Sequence, residues 1–257
     1  MLLSDDQIQK FKDKGYIVIK GMFGADIMSH ISAWADELQA KEPEPGAEAK
    51  YYEKSVLTGD DVLVRIENVI GDEINPEMTS LMISGDVTHC LTQLLGDAPV
   101  LFKEKINYKL PGCRADNLHQ DQAAGWNTYT DFFITMVIAI DANRKDNAAL
   151  TFMSSGNYPR GTLMTEEWKP ITETGPPYVP LDEYSLLEAD PGDVIFFDSY
   201  VPHGSPPNTS DRSRRNIFLT FNRESAGNLR ARYYADKWAS YAPNQAGDHR
   251  SGATFRV

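Results

Sequence analysis

The chain has 257 residues, enough for one core of the all-β barrel or sandwich size, in which roughly 70 to 75 per cent of the unfolded surface is buried. Its 25 basic and 37 acidic residues give a formal net charge of −12, which argues against nucleic acid and anionic membranes as partners. Two cysteines without metal-site spacing, no leader-like N-terminal pattern and no apolar stretch approaching about 18 residues predict a soluble, cytoplasmic protein.

The first hundred residues are predicted to form helices and short strands that support the other segments. A capping-box pattern begins at Ser4, and Gly15 ends the helix that follows. Apolar residues at helical spacing mark two further helices, the second of which ends at Gly96. The predicted helices cover residues 5–14, 25–39 and 78–95, the predicted strands cover residues 16–20 and 62–69, and residues 41–49 are predicted to form a loop.

The segment from Leu101 to Leu110 has the clean alternation of a β-strand. One face carries Phe102, Glu104, Ile106 and Tyr108, and the other carries Lys103, Lys105, Asn107 and Lys109. In an ordinary surface strand the lysine face would simply meet water. Arg65, at the centre of the preceding predicted strand, either extends along a sheet edge or points into a polar interior.

His119 and Asp121 form an HxD pair that follows this strand and a Pro-Gly turn. Side chains two residues apart on an extended segment point to the same face, so both can reach one metal ion. A distant histidine can complete the set, because two imidazoles and one carboxylate form the facial triad of non-haem Fe(II) oxygenases. The chain has only five histidines, so few partners are possible.

His203 supplies the third ligand in this interpretation. It follows the apolar run from Val194 to Phe197, which a Pro-Gly turn introduces and which is predicted to be a strand. Arg214 lies eleven residues after His203, where the next predicted strand, 216–221, begins. An arginine reaching across from a neighbouring strand can bind the far end of a dicarboxylate with two charge-assisted hydrogen bonds. The order of these residues therefore describes an iron site together with a 2-oxoglutarate site.

The other segments are predicted from their composition. Residues 135–141 are almost entirely apolar and are predicted to form a buried strand with residues 150–153 as its neighbour. Residues 159–185 contain several prolines and form a long connection, a kind of segment that is often a lid. After Phe221 the chain is predicted to be helical and then irregular.

These motifs resemble the phytanoyl-CoA dioxygenase family of Fe(II)- and 2-oxoglutarate-dependent oxygenases. The resemblance rests on His119-Gln120-Asp121, on Pro191-Gly192-Asp193-Val194, and on His203-Gly204-Ser205 with Asn208 and Arg214. Within the family, residues 105–112 and 232–237 are most similar to the bacterial organophosphonate hydroxylases. The chain differs from the family after Asp141 and at residues 122–124, where substrate contacts are expected.

The resemblance implies a single domain over residues 1–257, mainly β with N-terminal helices. Its expected fold is a double-stranded β-helix, or jelly roll, with buttressing α-helices. A helix-rich portion would cover residues 1–100, the catalytic jelly-roll core residues 101–225, and a C-terminal tail residues 226–257.

The resemblance also implies roles for individual residues. Fe(II) would be held by His119, Asp121 and His203, and 2-oxoglutarate, used with O2, by Asn107, Ser205 and Arg214. The residues expected to contact the substrate are Arg65, Lys103, Lys105, Gln122 and Trp126. The strand before the HxD pair would line the pocket, and its lysines would favour an anionic substrate.

The predicted reaction is hydroxylation of an unactivated C–H bond in a small anionic or zwitterionic molecule, with release of succinate and CO2. Among possible substrates, the prediction favours an organophosphonate such as 2-aminoethylphosphonate, hydroxylated at the carbon next to phosphorus. An amino acid, a betaine or an acyl-CoA is an alternative substrate. A non-catalytic jelly-roll binding protein and a zinc hydrolase are alternative functions, against which the complete ligand set and Arg214 argue.

Overall fold

The computed structural model describes residues 2–42, 48–153 and 184–241. Its helices are α1 (Asp5–Lys14), α2 (Ala25–Ala40), α3 (Pro76–Met82), α4 (Gly85–Leu95) and α5 (Arg230–Ser240). Its strands are β1 (Tyr16–Ile19), β2 (Ala49–Lys54), β3 (Asp61–Glu67), β4 (Pro99–Lys109), β5 (Asp116–His119), β6 (Ile134–Ala139), β7 (Thr151–Met153), β8 (Tyr184–Leu186), β9 (Val194–Asp198), β10 (His203–Ser205) and β11 (Arg214–Arg223). Within these ranges no helix is both long and apolar enough to cross a membrane.

Two antiparallel sheets face each other. The larger sheet has the order β1-β9-β6-β11-β4-β3-β2, and the smaller sheet has the order β5-β10-β7-β8. Apolar side chains from both sheets meet between them, including Val137 and Phe218 of the larger sheet and Leu118 and Phe152 of the smaller sheet. This arrangement, with helices on one side, confirms the predicted double-stranded β-helix.

Helices α1, α2, α3 and α4 cover the outer face of the larger sheet. Along β11 the side chains alternate, so Ile217 and Leu219 pack with the helices while Phe218 faces the smaller sheet. The hydroxyl of Tyr108 on β4 donates a hydrogen bond to the carbonyl of Ala35 on α2 at 2.7 Å. Strands β1 to β3 also join this sheet, so the first hundred residues contribute to the β-structure as well as to the helical layer.

The prediction of one helix over residues 78–95 is wrong, because this region forms two helices. Asn75 caps α3, with its side-chain oxygen accepting the N–H of Met78, and Pro76 occupies the first turn, where no N–H is needed. At Ser84 the backbone is extended, and α4 starts directly after it. The periodic apolar pattern continues through this break, which is why periodicity alone did not reveal it.

Two predicted loops fall partly outside the described residues. Residues 43–47 of the predicted loop 41–49 are not described, and Ala49 already belongs to β2. Residues up to 183 of the predicted connection 159–185 lie outside the description as well, while Tyr184 and Ser185 belong to β8. The prediction that this connection acts as a lid stays a prediction.

The helical part of the predicted tail is confirmed by α5, which a buried carboxylate ties to the sheets. Glu104 on β4 has a fully buried side chain that forms an ion pair with Arg230 of α5. Its oxygens also accept hydrogen bonds from the N–H of Val69 at 2.8 Å and from the hydroxyl of Tyr234 at 3.2 Å. A buried charge with this many partners fixes the position of α5 against β4.

Replacing Glu104 should therefore destabilise the fold strongly. We expect Glu104→Gln to lower the free energy of unfolding by about 3 to 5 kcal/mol, because it leaves the guanidinium of Arg230 buried without its counter-charge. Equilibrium urea denaturation measures this change. Glu73→Gln, at an exposed position, is the matched control and should change stability by less than about 0.5 kcal/mol. A similarly small effect for Glu104→Gln would contradict the anchoring role.

Candidate active site

Two histidines lie opposite each other on paired strands of the smaller sheet. His119 ends β5 and is in register with His203 at the start of β10, and their ring centroids are 4.3 Å apart. Asp121 begins a short 3-10 turn, residues 121–124, directly after β5. One ligand atom from each of these three residues lies within 4.8 Å of the other two. The structure thus brings the three predicted ligands together at a spacing suited to one metal ion.

Two local details differ from the prediction. The extended backbone stops at Gln120, so Asp121 lies on a 3-10 turn rather than on an extended segment. The side-chain amide of Gln120 donates a hydrogen bond to the carbonyl of Tyr200 at 2.6 Å. The backbone N–H of Gln122 donates one to the carbonyl of Ser199 at 2.8 Å. The turn still directs the carboxylate of Asp121 toward the histidines. His203, in turn, lies on the separate short strand β10 and not at the end of β9.

A backbone carbonyl orients each imidazole ring. Nδ1 of His119 lies 2.6 Å from the carbonyl oxygen of Asn117, and Nδ1 of His203 lies 3.0 Å from that of Val201. Because a carbonyl oxygen only accepts hydrogen bonds, each Nδ1 carries the hydrogen. Nε2 of both rings therefore presents a lone pair to a metal ion.

The charge states of the ligands are those that a divalent cation requires. Burial, with the neighbouring His119, lowers the pKa of His203 to about 4, so its imidazole is neutral at pH 7. Burial alone would raise the pKa of Asp121, but His203 and Lys103 outweigh it and hold this pKa below its ordinary value. Neutral imidazole and ionised carboxylate are the metal-binding forms, so the residues fit a metal ion.

A cavity of about 400 Å³ lies next to the triad, between the two sheets. The larger sheet lines it with alternate residues of β3, β4 and β11, namely Arg65, Lys103, Lys105, Asn107, Lys109, Arg214 and Phe218. The strand register explains this set, since Asn107 is paired with Arg65 on one side and Lys109 with Arg214 on the other. The lysine face of β4 therefore lines the cavity, and Arg65 points into the polar interior.

Arg214 is fully buried at this cavity with part of its hydrogen-bonding capacity unused. Its Nη2 donates to the carbonyl of Ala148 at 2.7 Å. Nε and Nη1 have no hydrogen-bond partner among the described residues. Burial lowers the pKa of the guanidinium to about 10, which leaves it charged at pH 7. A buried cation with two unsatisfied donors requires an anionic acceptor, and a ligand carboxylate fits that requirement.

Ser205 is not among the residues that line the cavity, and its predicted contact with 2-oxoglutarate stays a prediction. Its buried hydroxyl donates to Asp116 at 2.8 Å, and Lys109 donates to the same carboxylate at 3.0 Å. Burial would raise the pKa of Asp116, but Lys109, Arg114 and Arg214 together hold it well below its ordinary value. Ser205 therefore positions an ionised Asp116 close to Arg214.

The two predicted substrate residues after the HxD pair have different surroundings. Gln122 is buried, and its amide donates to the carbonyl of Thr130 at 3.0 Å, so its side chain is directed to a backbone segment instead of the cavity. Trp126 lines the cavity. Its ring also packs against Phe102 at 5.7 Å between centroids, and Nζ of Lys103 lies 4.2 Å from its centroid. The predicted substrate contact of Gln122 stays a prediction, and Trp126 is placed where a substrate contact is possible.

Sequence reasoning missed the contribution of α5. Tyr233 and Lys237 of this helix line the cavity, and Lys237 forms an ion pair with the buried Glu67 of β3. Glu67 in turn pairs with Nε of Arg65 at 2.8 Å. The cluster of aromatic and basic residues at 232–237 was the only local signal, and nothing in it indicated which strand the helix would contact.

The fold and the site together define a class: a jelly roll with two histidines and one carboxylate facing a cavity is a non-haem oxygenase architecture. The family model for phytanoyl-CoA dioxygenase (PhyH) matches residues 11–216, and the chain belongs to this family. The prediction of a dioxygenase is confirmed.

Relatives cover almost the whole chain. It is 35% identical over 240 residues to the 2-aminoethylphosphonate dioxygenase of an uncultured bacterium, covering 93% of this chain and 89% of that protein. It is 32% identical over 241 residues to the methylphosphonate hydroxylase of Gimesia maris, covering 93% and 88%. A crystal structure of EctD from S. alaskensis with 2-oxoglutarate and 5-hydroxyectoine has the same fold, with a TM-score of 0.67, 22% identity and coverage of 87% of this chain and 77% of that one.

Removing one ligand should abolish metal binding. We expect His203→Ala to lose most of its iron after anaerobic loading and desalting, because only His119 and Asp121 would remain. Atomic emission measures the iron per chain. His89→Ala, which removes an exposed histidine on α4, should keep the wild-type iron content. Equal iron in both variants would place the metal elsewhere.

Proposed function

We propose that the protein is an Fe(II)- and 2-oxoglutarate-dependent dioxygenase that hydroxylates an organophosphonate at the carbon next to phosphorus. One observation carries this proposal: the His119, Asp121 and His203 triad shares its cavity with a buried arginine, Arg214, that has two unused donors. A zinc hydrolase needs no such anion-binding arginine, and a binding protein that had lost its chemistry would not need a complete triad.

The triad would hold Fe(II), and Arg214 would hold the distal carboxylate of 2-oxoglutarate through charge-assisted hydrogen bonds. Three protein ligands would leave coordination positions of the iron free for 2-oxoglutarate and O2. When bound, these groups supply the oxidation: a C–H bond becomes C–OH while 2-oxoglutarate becomes succinate and CO2. Asn107, on the strand paired with β11, adds an amide group on the same face of the sheet as Arg214.

The protein itself binds, orients and shields the reactants. Asp116 lies close to Arg214 and is held by Ser205 and Lys109, so the charge environment of the arginine is fixed before a ligand arrives. The cavity has an apolar part of its wall, formed by Leu150, Phe218 and Trp126. This apolar surface limits the access of water to the triad. The carbonyls behind the two imidazoles keep the metal-binding nitrogens in place.

Three observations support a phosphonate as substrate. The two curated relatives described above act, by their names, on 2-aminoethylphosphonate and methylphosphonate. Lys103, Lys105 and Arg65 line the cavity, and lysines bind phosphonate oxygens as point charges. A volume of about 400 Å³ holds 2-oxoglutarate with one small second molecule, whereas a CoA thioester would remain largely outside.

Succinate formation tests this function directly. The enzyme is loaded anaerobically with Fe(II) and given 2-oxoglutarate, air and one member of a panel of phosphonates, amino acids, betaines and acyl-CoAs. We expect strong stimulation by a phosphonate and a product hydroxylated next to phosphorus. Stimulation by another group alone would retain the oxygenase chemistry and replace the substrate, and a protein without any turnover would favour the binding-protein alternative.

The role of Arg214 is tested by a conservative change. Arg214→Lys keeps the charge but loses the planar fork, so the KM for 2-oxoglutarate should rise about 10- to 100-fold, given about 1.5 to 3 kcal/mol for each charge-assisted hydrogen bond. Steady-state kinetics measure this rise. Arg212→Lys, at an exposed position two residues earlier, should leave the KM unchanged. An unaltered KM in Arg214→Lys would move the co-substrate site elsewhere.

Ser205 should behave differently, because its hydroxyl reaches Asp116 and not the cavity. We expect Ser205→Ala to raise the KM for 2-oxoglutarate less than about tenfold, because it removes only the hydrogen bond to Asp116 and no direct contact with the co-substrate. The kcat should stay close to the wild-type value. A KM as high as that of Arg214→Lys would instead support direct contact between Ser205 and the co-substrate.

A further inference from the structure

Two ammonium groups in the cavity form no direct ion pair with a carboxylate of the described residues. Lys103 and Lys105 form no ion pair and no side-chain hydrogen bond with any residue in the described ranges. Each lies against an aromatic ring instead: Nζ of Lys103 is 4.2 Å from the centroid of Trp126, and Nζ of Lys105 is 4.8 Å from that of Phe218. An aromatic face attracts a cation but does not neutralise it. These two lysines are therefore available to bind an anion.

The carboxylates of the same cavity are already engaged. Glu53 pairs with Arg114 at 2.7 Å, Glu67 pairs with Arg65 at 2.8 Å and with Lys237, and Asp116 pairs with Lys109 at 3.0 Å. Asp121, the fourth carboxylate of the lining, belongs to the metal triad. Among the described residues, each carboxylate of the cavity therefore already has a cationic partner or belongs to the metal triad.

The aromatic surfaces that could bind a substrate ammonium are occupied as well. Lys103 faces both Trp126 and Tyr233, with Nζ 5.6 Å from the centroid of Tyr233. A cationic group of a substrate would have to displace this lysine from the rings. It would then lie close to the like charges of Lys103 and Lys105, which is unfavourable in a cavity shielded from water.

The charge balance of the lining points in the same direction. Seven basic side chains and four carboxylates line the cavity, although the whole chain has a net charge of −12. Burial lowers the pKa of both Lys103 and Lys105, so each lysine lacks the solvation that would stabilise its charge. A bound dianion would supply that stabilisation, and a phosphonate group carries two negative charges when fully ionised.

Resting on the proposed function, we infer that the cavity selects a phosphonate whose organic part carries no ammonium group, and that Lys103 and Lys105 determine this selection. An alkylphosphonate is then a better substrate than an aminoalkylphosphonate of the same size. The zwitterion keeps the attractive headgroup but adds a cation that would lie beside the like charges of Lys103 and Lys105.

Two phosphonates of equal size test the effect of the ammonium charge alone. Propylphosphonate and 2-aminoethylphosphonate have the same number of non-hydrogen atoms and differ by a methyl group in place of an ammonium group. We expect the kcat/KM for substrate-stimulated succinate formation to be at least about tenfold higher for propylphosphonate. Anaerobic calorimetric titration of the enzyme loaded with Fe(II) and 2-oxoglutarate should show the same order of affinities, independently of turnover.

Variants connect this preference to the lysines. Lys103→Met keeps a chain of similar length against Trp126 but removes the charge, so binding of propylphosphonate should weaken at least about tenfold and the preference over 2-aminoethylphosphonate should shrink. Thermal unfolding verifies that the variant is folded. Lys12→Met, on the exposed side of α1, is the control and should keep both the affinity and the preference.

The outcomes separate the two proposals. A preference for propylphosphonate that shrinks in Lys103→Met supports the inference. Equal or better turnover and binding of 2-aminoethylphosphonate would overturn the inference and leave the proposed phosphonate hydroxylase intact, and so would an undiminished preference in Lys103→Met. Succinate formation that no phosphonate stimulates would overturn the proposed function, and the inference with it.

Discussion

The pairing of β5 with β10 is the contact on which the site depends. It sets His119 directly opposite His203, and because side chains alternate along a strand, a slip of one residue would turn one imidazole away from the other. Gly204 permits this pairing: a Cβ atom there would lie 2.8 Å from the carbonyl oxygen of Asp116, closer than real Cβ atoms approach. Any larger residue at position 204 would push β5 away and separate the ligands.

The cations that line the cavity include two groups. Arg65, Lys109 and Lys237 are each paired with a carboxylate, so their charges stabilise the walls. Arg214 keeps two unsatisfied donors, and Lys103 and Lys105 lie against aromatic rings and form no ion pair with any of the described residues. The charges of the first group are compensated within the protein, whereas in the proposed function those of the second group would be compensated by bound anions.

The sequence predicts the triad of His119, Asp121 and His203, which the structure brings together, because the chemistry of such a set restricts the choice of residues. An HxD pair, a distant histidine and an arginine at a fixed interval have few other uses in one chain, and the alternation of β4 follows from the period of a strand. What it does not predict depends on long-range contacts. Lys237 and Glu67 are separated by 170 positions, so no local pattern joins them. The 3-10 turn at Asp121 and the hydroxyl of Ser205 likewise depend on neighbours that only the folded chain supplies.

The metal site is continuous with the apolar core between the sheets. The ring of His203 contacts Phe152 and Phe197, with centroids 5.4 and 4.8 Å away, and these two phenylalanines pack on each other at 5.2 Å. The core thus holds one ligand from the side opposite the cavity, and its packing sets the separation between the triad on the smaller sheet and the cations on the larger one. Because a close-packed interior tolerates little displacement, the distance between the site of oxidation and the bound anion is fixed by the fold and not by the ligands. In the proposed function, a headgroup bound on β4 would present the carbon atoms nearest to it to the triad, which would account for hydroxylation next to phosphorus.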